Sequence, residues 1–97
     1  MDTEQKEYTV TVITENQIGL LAQIANVFTR RSLSIWSLVA GPTETQGIHS
    51  IDIVTCGTEK KVFECAQQIE KRVDVIRVSY AVTDTMRDQI EKQIKKS

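Results

Sequence analysis

The chain has 97 residues, of which 40% are hydrophobic and 26% charged, and its formal net charge is −1. These values fit one small globular domain. The near-neutral charge argues against a nucleic-acid-binding or anionic-lipid-binding surface, and no apolar run is long enough for a transmembrane helix. The polar N-terminus does not resemble a secretory signal, and Cys56 and Cys65 lack the spacing of a zinc site or a disulfide framework. We therefore expect a cytoplasmic protein with free thiols that contacts neither nucleic acid nor membrane.

The N-terminal third of the chain predicts a strand followed by a helix. Residues 1–6 are expected to form a disordered lead. Tyr8, Val10 and Val12 alternate with polar residues, which predicts a half-buried strand over residues 7–14. A loop over residues 15–19 ends in Gly19. Apolar residues then recur at helical spacing to Phe28, which predicts an amphipathic helix ending at about residue 31.

The remaining sequence predicts three strands and two helices. Strands are expected at residues 35–40 and 48–55, joined by a hairpin that contains Gly41-Pro42 and Gly47. A second helix over residues 59–71 has Thr58 as its N-cap, and a fourth strand covers residues 75–82. In residues 84–97, Met86, Ile90 and Ile94 are spaced by four and predict a C-terminal helix. Because its apolar stripe is one residue wide, this helix is expected to dock weakly or onto something else.

The order of these elements predicts an α+β fold. Two βαβ crossovers joined by a hairpin give a ferredoxin-like βαββαβ sandwich, here with an additional C-terminal helix. Residues 7–83 would form the domain and residues 84–97 the extra helix. One face of the four-stranded antiparallel sheet is left bare, so a partner is expected to cover part of that face or an edge strand.

Several activities found on this architecture lack their residues here. The strand at residues 48–54 has none of the aromatic side chains that stack RNA bases, and the loop at residues 15–20 has neither a cysteine pair for a metal nor an arginine for a phosphate. The one histidine, His49, is interpreted as a sheet-face residue, Asp52 as a strand-face charge and Asp74 as a turn residue. No nucleophile–base set can be assembled. The sequence predicts a non-catalytic chain with no catalytic residues, no metal site and no cofactor of its own.

The junction between the first strand and the first helix is the candidate site. The first N–H groups of a helix lack intrahelical partners, and together with the helix dipole they bind carboxylates. Asn16 is a candidate acceptor for a ligand ammonium group. The alternative is that Asn16 only caps the helix and Gly19 only makes the turn. The chemistry of these residues leaves both interpretations open.

Five stretches resemble one known family. ENQIGLLAQIA from Glu15, FTRR from Phe28, IWSL from Ile35 and GPTE from Gly41, followed by VDVIRV from Val73, are similar to the ACT domain of acetolactate synthase small subunits. The resemblance covers residues 7–82. Two positions depart from the family pattern: Ser34 stands where relatives have an asparagine that contacts the effector, and Ser32 stands where they usually have glycine.

The resemblance implies a regulatory function in branched-chain amino-acid biosynthesis. Such subunits associate with a catalytic large subunit that uses thiamine diphosphate and Mg, and they confer feedback inhibition by valine or a related amino acid. ACT domains pair side by side into a homodimer with the effector at the interface. The resemblance assigns effector binding to the first loop of one chain and the second strand of its neighbour: Asn16, Gln17, Ile18, Gly19, Leu20 and Ser34.

Three questions stay open at this stage. The chain is either such a subunit or a stand-alone ACT module that regulates another enzyme, and it is either a short single-domain form or a truncation of a longer one. Trp36 is either packed beside the core or an anchor for a partner.

Overall fold

The fold is a four-stranded antiparallel sheet with two helices on one face. The computed structural model describes residues 4–15 and 18–83. In chain order the elements are β1 (Lys6–Thr14), α1 (Leu20–Arg30), β2 (Ser34–Pro42), β3 (His49–Gly57), α2 (Glu59–Glu70) and β4 (Val75–Val82). The strand order is β2-β3-β1-β4, and all three strand pairs are antiparallel. The predicted βαββαβ fold is confirmed. The predicted C-terminal helix lies outside the described residues, and β1 begins at Lys6, the last residue of the expected lead.

The core lies between the helices and one face of the sheet. Alternation along β1 and β3 sends every second side chain to this face, and the apolar stripes of α1 and α2 cover it. Among its most completely buried members are Val10, Val12, Ile24, Phe28, Ile51, Ile53, Val62 and Ile69.

The connection from α1 to β2 is a Schellman turn. The Ser32 amide donates to the Thr29 carbonyl oxygen at 3.0 Å, and the Leu33 amide donates to the Phe28 carbonyl oxygen at 2.9 Å. This pattern places Ser32 in the left-handed region, with φ at 57°. The buried Leu33 side chain then anchors the turn against the core. The backbone geometry explains why glycine suits the position of Ser32.

Helix α2 begins at the cap that the sequence predicts. The Thr58 hydroxyl accepts a hydrogen bond from the Lys61 amide at 3.4 Å. The hydroxyl therefore satisfies one of the amides that a helix start leaves without an intrahelical partner.

The uncovered face of the sheet is mostly polar. Threonines and serines follow one another across it, and the Thr11 hydroxyl donates to the Asp52 carboxylate at 2.9 Å. Exposed apolar side chains are found on both edge strands, and on β2 Trp36 is 54% exposed and Val39 is 66% exposed. Trp36 lies at an irregularity in the β2–β3 register, between Ile35 and Ser37. Within a single chain, the Trp36 side chain is therefore not packed beside the core.

Candidate functional site

The turn into α1 is built around Gly19. Its φ of 83° is in the region that side-chain-bearing residues avoid, and as the N-cap it has no side chain with which to accept a helix amide. A Cβ added to Gly19 would meet no atom within 4 Å, so the space next to this backbone is open. The Gln23 amide donates to the Gly19 carbonyl oxygen at 3.4 Å. The amides of residues 20–22 come before this first hydrogen bond of the helix and therefore have no acceptor carbonyl within the helix.

The residues predicted to form the site at this turn differ in the exposure of their side chains. The Ile18 side chain is 86% exposed, whereas Leu20 is buried in the core. Leu20 therefore contributes its backbone and not its side chain to the surface of the turn. Asn16 and Gln17 lie outside the described residues, so the roles predicted for them stay predictions.

A second segment, which the sequence interpretation missed, lies beside this turn. The connection from α2 to β4 brings Lys71, Arg72, Val73 and Asp74 against residues 18–20 and Gln23, and together they line an open cavity of about 350 Å³. The two segments are tied together by hydrogen bonds. The Glu15 amide donates to the Asp74 carbonyl oxygen at 3.0 Å, and the buried Thr14 hydroxyl donates to the same oxygen at 2.8 Å.

The cavity combines three kinds of chemistry. Lys71 and Arg72 supply positive charge next to the amino end of α1, and Asp74 supplies a carboxylate. Ile18 and Val73 are apolar, and Val73 is 98% exposed. A small zwitterion with an aliphatic side chain would find a complementary group here for each of its parts.

Ser34 lies at the opposite end of the sheet from this cavity. On β3, Ser34 is opposite Cys56, whereas the end of β1 at Thr14 is opposite His49. The seven residue steps from Cys56 to His49 span roughly 23 Å at about 3.3 Å per step. Ser34 lines a different cavity, of about 260 Å³, together with Ser32, Trp36 and Lys61. Within one chain, the fold does not bring Ser34 to the Gly19 turn.

Of the other polar residues considered from the sequence, Asp74 lines the cavity, whereas His49, Asp52 and the two cysteines do not. His49 begins β3 and is half-buried, Asp52 is on the open face of the sheet, and Asp74 is in the turn before β4. Burial raises the pKa of the Cys65 thiol from 9.0 to about 11. Neither cysteine is in a disulfide. In residues 4–15 and 18–83 no cluster of His, Cys, Asp or Glu is arranged to hold a metal ion, and the helices in these ranges are too short or too polar to span a membrane.

The βαββαβ layer with a glycine turn at the start of α1 is the architecture of ACT domains. The ACT domain of a GTP pyrophosphokinase from Chlorobium tepidum superimposes on 80% of this chain and on its own full length, with a TM-score of 0.66. At 16% identity, this likeness concerns the fold alone.

A more specific match identifies the family. The model of the AHAS small subunit-like ACT domain matches residues 10–77, and the chain belongs to this family. A probable acetolactate synthase small subunit from Archaeoglobus fulgidus is 37% identical over 73 residues, which are 75% of this chain and 46% of the relative. The isozyme 3 small subunit of Escherichia coli is 36% identical over 70 residues, or 72% and 43% of the two chains. The acetolactate synthase small subunit structure from Thermotoga maritima is 31% identical, with a TM-score of 0.67 over 77% of this chain and 47% of that one.

These relatives are longer than the present chain, which spans slightly less than half of their length. The family resemblance predicted from the sequence is confirmed. The activity and the partners of these longer proteins are therefore only proposed for this chain.

Proposed function

We propose that this chain is a non-catalytic regulatory subunit of a thiamine-diphosphate- and Mg-dependent acetolactate synthase. It binds a branched-chain amino acid, with valine as the first candidate, between two copies of itself. The observation that carries the proposal is the open Gly19 turn, which lines one cavity together with Lys71, Arg72 and the exposed Ile18 and Val73.

Each part of the amino acid has a counterpart at this site. Its carboxylate accepts from backbone amides at the start of α1, with Lys71 and Arg72 close by. Its ammonium group binds Asn16, the group that the sequence favours, or the Asp74 carboxylate. Burial of its aliphatic side chain contributes about 2 kcal/mol, and each charge-assisted hydrogen bond contributes about 1.5–3 kcal/mol before ordering costs. The sum corresponds to a dissociation constant in the micromolar to millimolar range.

The second copy completes the site through the edge strand β2. An edge strand that exposes Trp36 and Val39 is a template for pairing with another strand. In an antiparallel pair of β2 strands, Ser34 of the second copy lies beside Gly41 and Pro42 of the first. Pro42 pairs with His49, and His49 pairs with Thr14 at the end of β1. This arrangement gives an eight-stranded sheet and brings Ser34 toward the Gly19 turn of the other chain.

The first experiment is a calorimetric titration of the full chain with valine, leucine and isoleucine. Gly19→Asp places a negative charge beside the helix amides and strains the backbone, and it should abolish binding. Gly47→Asp is the matched control, because Gly47 also has a positive φ and open space around its Cβ position but does not line the cavity. Binding that survives Gly19→Asp, or is lost equally in both variants, would refute the site.

The second experiment separates the dimer from the ligand site. Val39→Lys places a charge on the exposed β2 edge and should give monomers in analytical ultracentrifugation. Ser79→Lys, on the opposite edge strand β4, should leave the dimer intact. The regulatory role is tested by adding the chain to the thiamine-diphosphate-dependent large subunit of the same organism. An activity that responds to neither the chain nor valine would favour the stand-alone ACT module instead.

A further inference from the structure

An apolar groove lies outside the candidate site, between α2 and the edge strand β4. A cavity of about 420 Å³ is lined by Glu59, Lys60, Phe63 and Tyr80. The Phe63 ring is 45% exposed and lies edge-on to the Tyr80 ring, with 6.5 Å between the ring centroids. We call these four residues, together with Val82, the α2–β4 groove.

The groove continues along the helix-facing side of β4. Val82 and Tyr80 are two residues apart and therefore lie on the same face of the strand. Their register partners on β1 are Tyr8 and Val10, both of which are buried under the helices. Val82 is nevertheless 45% exposed, because it lies on the edge strand where no described element covers it.

The chain leaves the described structure beside this groove. The Thr83 amide donates to the Glu7 carbonyl oxygen at 3.0 Å, and the Thr83 hydroxyl donates to the Glu7 carboxylate at 2.8 Å. Glu7 and Lys6 open β1, and Lys6 pairs with Gly57, two residues before the start of α2. Residues 84–97 therefore continue from the hydrogen-bonded Thr83, which lies at the same end of the sheet as the groove.

The pattern of this segment matches in length the face of β4 on which the groove lies. Met86, Ile90 and Ile94 are spaced by four, which on a helix forms one apolar line about 12 Å long at about 1.5 Å per residue. On the same face of β4, the line from Val82 through Tyr80 to the half-buried Val78 is about 13 Å long at about 3.3 Å per residue, and its Val78 end lies beyond the residues that line the groove. A stripe one residue wide suits a groove and not a broad surface. The short tether also gives the segment a high effective concentration at this place.

We propose that residues 84–97 fold back as a helix and seat Met86, Ile90 and Ile94 in the α2–β4 groove of their own chain. The docked segment covers the Phe63 ring and the exposed side of Val82. It also shields the β4 edge, which leaves β2 as the edge through which two copies pair.

Nuclear magnetic resonance on the full chain tests this proposal. We expect nuclear Overhauser contacts between the methyl groups of Ile90 and Ile94 and the rings of Phe63 and Tyr80. A sample that mixes two differently labelled chains separates contacts within a chain from contacts between chains. Contacts within the chain support the proposal. Contacts found only between chains would assign the groove to a second copy and overturn it, and so would the absence of contacts to either ring.

A pair of variants tests the stripe itself. Ile90→Ser removes the central apolar side chain and should speed amide hydrogen exchange in residues 86–94 by about tenfold. Gln89→Ser is the control, since it changes the neighbouring residue off the stripe and should leave exchange within about twofold. Equal effects of the two variants would overturn the proposal. Neither residue belongs to the core described above, so both variants should retain the domain fold.

Discussion

Ser32 is the position where a single substitution should stabilise this domain. It ends the Schellman turn after α1 with a φ of 57°, although it carries a Cβ. The family resemblance places glycine at this position. We therefore expect Ser32→Gly to increase the free energy of unfolding.

Two opposing effects set the magnitude. The left-handed conformation costs a residue with a Cβ roughly 1–2 kcal/mol, and glycine removes this cost. Glycine also increases the conformational entropy of the unfolded chain, which costs roughly 0.5–1 kcal/mol. The first effect is larger, so the net gain should be about 0.5–1 kcal/mol. In a domain of this size that gain raises the melting temperature by about 2–8 °C.

Urea unfolding at one fixed protein concentration measures the difference. Concentration must be fixed because association of the chain would contribute to its apparent stability. The dependence of the unfolding free energy on urea should stay unchanged, since the same surface is exposed. Ser79→Gly is the control, because Ser79 is exposed in the extended strand β4 and should lose about 0.5–1 kcal/mol. If Ser32→Gly destabilised the domain as much as Ser79→Gly does, our account of the turn would be wrong.

Three further predictions concern α2 and the residues next to it, each measured by denaturant unfolding. Thr58→Ala removes the hydroxyl that accepts from the Lys61 amide and should cost about 1 kcal/mol, whereas Thr58→Ser should retain most of the cap. Above pH 9 the Cys65 thiol of the unfolded chain loses its proton, whereas the folded chain keeps it to about pH 11 because burial raises its pKa. The free energy of unfolding should therefore fall by about 2–3 kcal/mol between pH 9 and pH 11. If a Cys65→Ala variant showed the same fall, this thiol would be excluded as the cause. A methyl group added by Gly57→Ala would collide with the Leu33 side chain and should cost about 1–3 kcal/mol, and Leu33→Ala should remove most of that cost; strictly additive effects would contradict the contact.

The order of the elements was predictable because the hydrophobic residues of each helix and strand keep a regular spacing over several turns or pleats. The alternation of Tyr8, Val10 and Val12 and the steps of four and three residues between apolar positions in α2 are long enough to be unambiguous. The ends of the strands were harder to predict. Ser34 and Cys56 extend β2 and β3 beyond the apolar pattern and pair with each other. Strand pairing uses backbone groups, so polar or small residues continue a strand without a hydrophobic signal.

The missed part of the candidate site has a topological cause. Lys71, Arg72 and Asp74 are more than fifty positions from Gly19, and no local pattern joins the two segments. The strand order does join them: β4 lies antiparallel to β1, so the chain entering β4 passes the end of β1. Charged residues just before the fourth strand of this fold were therefore a usable signal.

The placement of Ser34 links ligand binding to assembly if the proposed site is correct. A strand length separates Ser34 from the Gly19 turn of its own chain, so one chain cannot place both on one ligand. An effector that contacts both must favour the paired state, and the paired state must bind it more tightly. The apparent affinity for valine should then strengthen with protein concentration wherever the pair partly dissociates. Through this linkage, a catalytic partner could distinguish the paired from the unpaired state of the chain, and no rearrangement inside the domain itself would be needed.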